Sequence, residues 1–258
     1  KPRMFAHRGS SGNAPENTIR AFELAIEQGA DILEMDVHAT RDGHIVVLHD
    51  PEVARTTDGS GLISKLTLAE VKVLDAGYRF SPDEGKSFPF RGKGIRIPTL
   101  RAVAERFPRV PFNMEIKQSE PPIERAVFEL LEQTGHAALT LLAAETDALI
   151  ERIRRLDTGV PTNFASSEVL EFLQRAFQNN WDSYSPPGRA LQIPEYYHDM
   201  PVLTANLLEA AHRLGIEVHV WTVNEEADMS RFLRMGVDGV MTDYPERLRK
   251  VVVDLGLR

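Results

Sequence analysis

The chain has no cysteine among its 258 residues, which excludes disulfides and thiolate metal sites. It has no basic run, and its formal net charge is −8. Grip on a phosphate backbone needs clustered Lys and Arg, so no nucleic-acid partner is expected. No apolar stretch approaches a bilayer span, so no integral membrane segment is expected. No positively flanked apolar segment opens the chain either. A cytoplasmic location is therefore expected, with room for a removed leader because residue 1 is Lys rather than Met. No GxGxxG follows the first β-like run, which speaks against dinucleotide binding. What is present, 42% hydrophobic and 26% charged residues, suffices for one large core or two small ones. Nothing in the composition sets the oligomeric state.

Short β-like runs alternate with helical patterns. Arg3 to His7 reads as a strand. Thr18 to Gln28 reads as a helix with Ile19, Phe22 and Ile26 on one face, Asn17 as its cap and Gly29 as its stop. Ile32 to His38 and, after the Asp42-Gly43 turn, Ile45 to His49 are extended. Strands follow at Pro111 to Lys117, Ala138 to Ala144, Pro161 to Ala165, Asp182 to Ser185, Glu217 to Val223 and Gly239 to Thr242. Helices are expected from Pro122 to Gln133, up to Leu156, up to Gln178, from Thr204 to Leu214, from Glu225 to Met235 and from Pro245. About eight strand–helix repeats in this length favour an α/β chain folded as one (β/α)8 TIM barrel over residues 1–258. Residues 51–98 are too long for a βα loop. They carry a capping box, Thr67 to Glu70, and Tyr78, Phe80, Phe88 and Phe90 among Gly, Pro and charges. They read as a small insertion after the second strand, capping a helix pair or shaping the substrate site.

Strand residues two apart share a face. Glu34 therefore points with Asp36, and Glu115 with Lys117. In a barrel, such positions near strand C-terminal ends meet over the mouth. Three carboxylates there repel one another unless a cation sits between them. Oxygen ligands without Cys point to one Mg2+ or Ca2+ rather than zinc. The plainer alternative pairs each carboxylate with Arg or Lys. His7 and His49 each end an apolar run. Arg8 can hold a phosphate oxygen in two-pronged fashion. Asp50 either orients His49 or starts the Pro51 turn. Trp221 shares a face with His219 and is either core or an apolar wall beside a substrate. Asn224 reads as an N-cap, Asp243 as a cap or a mouth residue, and His38 as structural. The collection suits metal-assisted attack on a phosphodiester, with two histidines moving protons.

These residues carry a resemblance. His7-Arg8-Gly9, Pro15-Glu16-Asn17-Thr18, Glu34-x-Asp36-Val37, Thr40-x-Asp42-Gly43, His49-Asp50, Glu115-x-Lys117, Trp221-Thr222-Val223-Asn224 and Gly236-Val237-Asp238-Gly239 with Thr242-Asp243-Tyr244-Pro245 resemble the glycerophosphodiester phosphodiesterase family from the first strand to the last helix. The resemblance implies a TIM barrel with a small inserted subdomain. It implies a divalent metal on Glu34, Asp36 and Glu115, catalytic His7 and His49, and phosphate contacts from Arg8 and Lys117. The substrate implied is a small-molecule phosphodiester, hydrolysed to an alcohol and sn-glycerol 3-phosphate. Three rivals follow: a lysophospholipase D whose aromatic insertion accepts an acyl chain, a non-catalytic phosphodiester-binding barrel, and a glycosidase using Glu34 and Glu115. The last leaves Arg8, Lys117 and both histidines without a purpose.

Overall fold

Strand β1 (Arg3–Ala6) is short and apolar, and the structural reason is that it has neighbours on both sides. It pairs in parallel with β2 (Ile32–Ala39) and with Gly239–Thr242 at the far end of the chain. A first strand bonded to the last one means that the sheet curls round on itself. In this computed structural model, which describes residues 1–144 and 146–258, β1 leads into α1 (Ile19–Glu27) and then β2. Phe22 of α1 is fully buried, with Ile19 and Ile26 packed beside the same core. Burial of one such aromatic side chain contributes roughly 1.5–3 kcal/mol. The cap of α1 is Thr18, whose hydroxyl accepts from Ala21 N at 3.2 Å, not Asn17 as expected. Asn17 has φ +56, and its amide turns inward instead.

β2 runs past the barrel and pairs antiparallel with β3 (Ile45–Val47). The chain then makes two short 3-10 turns, Val53–Arg55 and Ile63–Lys65, before α2 (Leu68–Lys72) with its capping box formed by Thr67 and Glu70. Val46, Leu48, Val53, Ile63, Val71, Ala76 and Ile97 make a small core of their own there. The barrel resumes with α3 (Leu100–Arg106), β4 (Phe112–Ile116), α4 (Glu124–Thr134) and β5 (Thr140–Ala143). The sequence places the next strand–helix junction at residue 145, which lies outside the described residues. Then come α5 (Asp147–Arg155), α6 (Ser166–Gln178), β6 (Ala190–Ile193), a two-rung hairpin of β7 (Tyr196–Tyr197) and β8 (Met200–Pro201), α7 (Ala205–Arg213), β9 (Glu217–Val220), α8 (Glu226–Met235), β10 (Gly239–Thr242) and α9 (Pro245–Asp254).

Seven parallel strands form one curled sheet in the order β5, β4, β2, β1, β10, β9, β6. The gap between β5 and β6 is closed by residues 162 and 163. Thr162 bridges Leu142 and Asn163 bridges Ala190, both in parallel. Four backbone hydrogen bonds seal it, among them Asn163 N to Leu142 O at 3.0 Å and Phe164 N to Ala190 O at 3.1 Å. The expected strand Pro161 to Ala165 is thus reduced to two rungs. The expected strand Asp182 to Ser185 is absent, and Ala190–Ile193 fills its place. Trp181 and Tyr184 pack their rings against Phe172 of α6, which holds this stretch on the helix layer rather than in the sheet.

Candidate active site

All eight residues of β2 are buried. Glu34 and Asp36 occupy alternate positions on it, and Asp36 lies in register with Glu115 of β4. One carboxylate oxygen from each of Glu34, Asp36 and Glu115 lies within 4.8 Å of the others. Glu34 and Asp36 are only 3% and 1% exposed. Burial, then the neighbouring Asp36 charge, pushes the Glu34 carboxyl up to about 8. Two buried carboxylates side by side cannot both ionise cheaply without a positive partner. Part of that charge comes from Lys117, whose Nζ is 2.7 Å from Glu115 and 3.6 Å from Asp36. Burial works against the ammonium, but Glu115 and Asp36 outweigh it and raise its pKa. Arg8 supplies the rest: its Nε is 3.3 Å from Asp36 Oδ2, a contact without hydrogen-bond geometry that leaves this buried N–H orphaned. A hard, oxygen-seeking divalent cation fits this all-carboxylate donor set, and the unmet polar atom beside it fits an anionic ligand.

The loop after β1 aims the His7-Arg8 pair. Arg8 takes φ +54 and Gly9 φ +84. A side chain at Gly9 would put its Cβ 2.7 Å from the backbone of Ala21, so only glycine lets the loop lie on α1. The Arg8 N–H donates to Glu34 Oε2 at 2.7 Å. Asn17 donates to Asp36 Oδ2 at 2.9 Å and accepts from the Asp36 N–H at 3.3 Å, which fixes the carboxylate in place.

Each histidine has a carboxylate on Nδ1. His7 is 2.7 Å from Asp243 Oδ1, and His49 is 2.6 Å from Asp50 Oδ1. Burial opposes the charged His7 ring, but Asp243 and Glu34 outweigh it, so its pKa is raised above 6.5. Asp243 in turn accepts from Ser11 Oγ at 2.8 Å and from Asn224 Nδ2 at 2.7 Å. Asn224 also accepts from the Asp243 N–H at 2.9 Å. It is therefore the clamp of Asp243, and no side chain caps α8. Burial, the largest cause, lowers the His38 pKa, and its Nε2 lies 3.0 Å from the His49 carbonyl.

All eight residues singled out in the sequence, His7, His49, Arg8, Lys117, Trp221, Glu34, Asp36 and Glu115, line one cavity of about 500 Å3 at the C-terminal ends of the barrel strands. Sequence reasoning gave no role to Glu16 or Arg55, read Asn224 as a cap, and left Asp243 as either a cap or a mouth residue. Glu16 meets Arg55 across 39 residues and Asp243 meets His7 across 236, so no local pattern flags those pairs, while Arg55 and Asp50 stand only 5 residues apart. Trp221 and His219 part company: His219 is 2% exposed inside the barrel, beside Phe5, while Trp221 stands past the end of β9, 42% exposed. The other side of the cavity is apolar, with Phe164, Leu170, Leu173, Tyr197 and Met200 beside Trp221. No residue of 51–98 lines it. The aromatics there pair elsewhere, Phe80 edge-on to Phe90, and Arg91 over Phe88 and Tyr78. The expectation that they accept an acyl chain is therefore corrected.

A barrel whose mouth gathers three carboxylates, two cations and two carboxylate-backed histidines defines a class, hydrolases that act on phosphate esters. Residues 7–247 match the glycerophosphoryl diester phosphodiesterase family, and the chain belongs to that family. It is 34% identical to a glycerophosphodiester phosphodiesterase of Caldanaerobacter subterraneus subsp. tengcongensis, over 98% of each chain. It is 29% identical to a lysophospholipase D of Homo sapiens, over 95% of this chain and 85% of that one. Among solved structures, a phosphodiesterase of Oleispira antarctica in complex with the product sn-glycerol-3-phosphate superposes with a TM-score of 0.78 at 29% identity. The overlap covers 98% of this chain and 97% of that one.

Proposed function

We propose that this enzyme hydrolyses glycerophosphodiesters to an alcohol and sn-glycerol 3-phosphate, with Glu34, Asp36 and Glu115 holding one Mg2+ or Ca2+. The observation that carries the reading is the pair of carboxylate-backed histidines facing one cluster of three carboxylates. A bound divalent cation would act as a Lewis acid on the phosphoryl oxygens. Arg8 and Lys117 hold the same anionic group and strengthen their contacts as charge builds in the transition state. His7 engages Asp243 through Nδ1, which leaves Nε2 for the cavity. It takes the proton of the attacking oxygen, whether from water or from the glycerol 2-hydroxyl. His49, oriented by Asp50, gives a proton to the departing alkoxide. A panel of glycerophosphodiesters assayed with and without EDTA tests the reading. EDTA should abolish turnover, and His7→Ala or His49→Ala should each cost roughly 10²–10⁴-fold in kcat. Full turnover in metal-free protein would sink it.

A second reading rests on the apolar half of the cavity. Leu170, Tyr197, Met200 and Trp221 line it while each stays 42–59% exposed, which suits the acyl chain of a single-chain lipid at the same phosphodiester site. Relative kcat/KM on lysophosphatidylcholine and glycerophosphocholine decides between the two.

A further inference from the structure

A line of ion pairs crosses the mouth of the site and passes through one residue of the inserted segment. Arg55 holds Glu16 with both terminal nitrogens, Nη1 to Oε2 at 2.8 Å and Nη2 to Oε1 at 2.7 Å. With the same guanidinium it holds Asp50, through Nε to Oδ2 and through Nη2 to Oδ1 at 3.3 Å. Asp50 backs His49, and Glu16 also pairs with Arg8 Nη1 at 3.1 Å. We propose that Arg55 is a positioning residue for His49, and that carrying it is what residues 51–98 contribute to the reaction. The proposal rests on the reading above that His49 moves a proton.

His49 lacks a side-chain tether of its own to the barrel. Its ring is backed by the residue next to it in sequence, on a loop just past β3, and both side chains are more than a quarter exposed. A dyad built from neighbouring residues on a loop is not tied to the barrel by its own hydrogen bond. The His38 contact holds only the His49 backbone. Arg55 supplies the side-chain tether, because its other carboxylate, Glu16, sits on the loop that carries Arg8. Arg55 is itself firmly mounted. Val53 and Thr57 are fully buried on either side of it, and Thr57 Oγ1 donates to Val53 O at 2.8 Å. Val53 N bonds Gly61 O and Ile63 N bonds Pro51 O, which close the segment on itself. Arg55 also holds Asp50 ionised. Burial of Asp50 opposes its charge, but Arg55 and His49 bring the carboxyl down to about 2. The variants' Tm separates positioning from any contribution this network makes to folding. The Arg55 side chain is 45% exposed, and exposed ion pairs contribute little to folding. A misplacement of the order of 1 Å, in contrast, can cost about 10²-fold in rate.

The test is a double-mutant cycle on the metal-loaded full chain. Arg55→Met should lower kcat roughly 10- to 100-fold, with a Tm close to the parent's. Arg55→Lys should restore little, because a point charge cannot hold two carboxylates in one planar fork. In a His49→Ala background, Arg55→Met should cost almost nothing more, since the group it positions is gone. An equal loss in both backgrounds would overturn the proposal and route the effect through Glu16 and Arg8. A large fall in Tm for both Arg55 variants, matched by the loss of activity, would make the residue structural and overturn it as well. Native turnover by His49→Ala itself would remove the underlying reading instead, and that outcome is distinct from either of the others.

Discussion

Asp243 follows the last strand, 236 residues from the ring it supports. Its partner Ser11 binds it from the loop that carries His7 and Asn224 from the loop after β9, so the His7 tautomer is set by three segments of chain. The carboxylate does two things: it fixes which ring nitrogen faces the cavity, and it favours the imidazolium. Both follow from a hydrogen bond to the charged form. Asp243→Asn keeps the shape and removes the charge. His7 then loses an interaction that raises its pKa, and its pKa falls. A base must be neutral to act, so the acidic limb of the kcat/KM profile should move to lower pH, while kcat drops roughly 10²–10⁴-fold. A pH–rate profile of the variant reads both, and an unmoved acidic limb would assign that limb to another group.

The β1–α1 connection shows how an element's packing sets the chemistry. Two consecutive residues at positive φ, Arg8 and Gly9, turn the chain back on α1. The turn is what brings the Arg8 amide onto Glu34. Gly9→Ala forces a Cβ into the Ala21 backbone and into a φ that L residues resist. It should cost about 1–3 kcal/mol, a drop of several degrees in Tm, because each kcal/mol shifts a domain of this size by roughly 2–4 °C. The same change should raise KM and lower kcat together, since loop and guanidinium move as one. Thermal melts alongside steady-state kinetics check it; unchanged kinetics in a destabilised variant would separate the loop from the site.

At the scale of the molecule, the barrel forces like charges together at its mouth, and stability should therefore depend on pH and on a bound cation. Glu34 rises from 4.5 to about 8 in the folded chain. Between those values the native metal-free protein keeps a proton that the unfolded chain has released, so its stability falls as pH rises across that window. A divalent cation held by these carboxylates would replace the proton. Added Mg2+ or Ca2+ should therefore raise Tm, and more so near pH 8 than near pH 5. At 100 times Kd the gain is about 2.7 kcal/mol. Glu34→Gln should flatten the metal-free pH dependence and weaken the response to metal. Melts across pH with EDTA or metal give the answer, and a metal-free Tm that climbs from pH 5 to pH 8 would contradict this electrostatic account.

The sequence alone determined the (β/α)8 rhythm and the charged residues and histidines that line the cavity. Alternation on a strand puts Glu34 with Asp36, and a barrel brings strand ends to one rim. Those are local periodicities, and they can be read from a short window. Only the tertiary structure decided the partners. Asn17 and Asn224 occupy cap-like positions in the sequence, yet their amides are spent on Asp36 and Asp243. Asp182 to Ser185, with Trp181 before it and Tyr184 within it, stays out of the sheet, because Phe172 offers those rings a better surface. Tyr78, Phe80, Phe88 and Phe90 pair among themselves and with Arg91, while the apolar wall of the cavity comes from α6, the β7–β8 hairpin and Trp221. A hydrogen bond or a ring contact is made with whatever the fold brings within reach, across the 236 residues between His7 and Asp243 as across the 19 between Asn17 and Asp36, and no strand or helix period marks those separations.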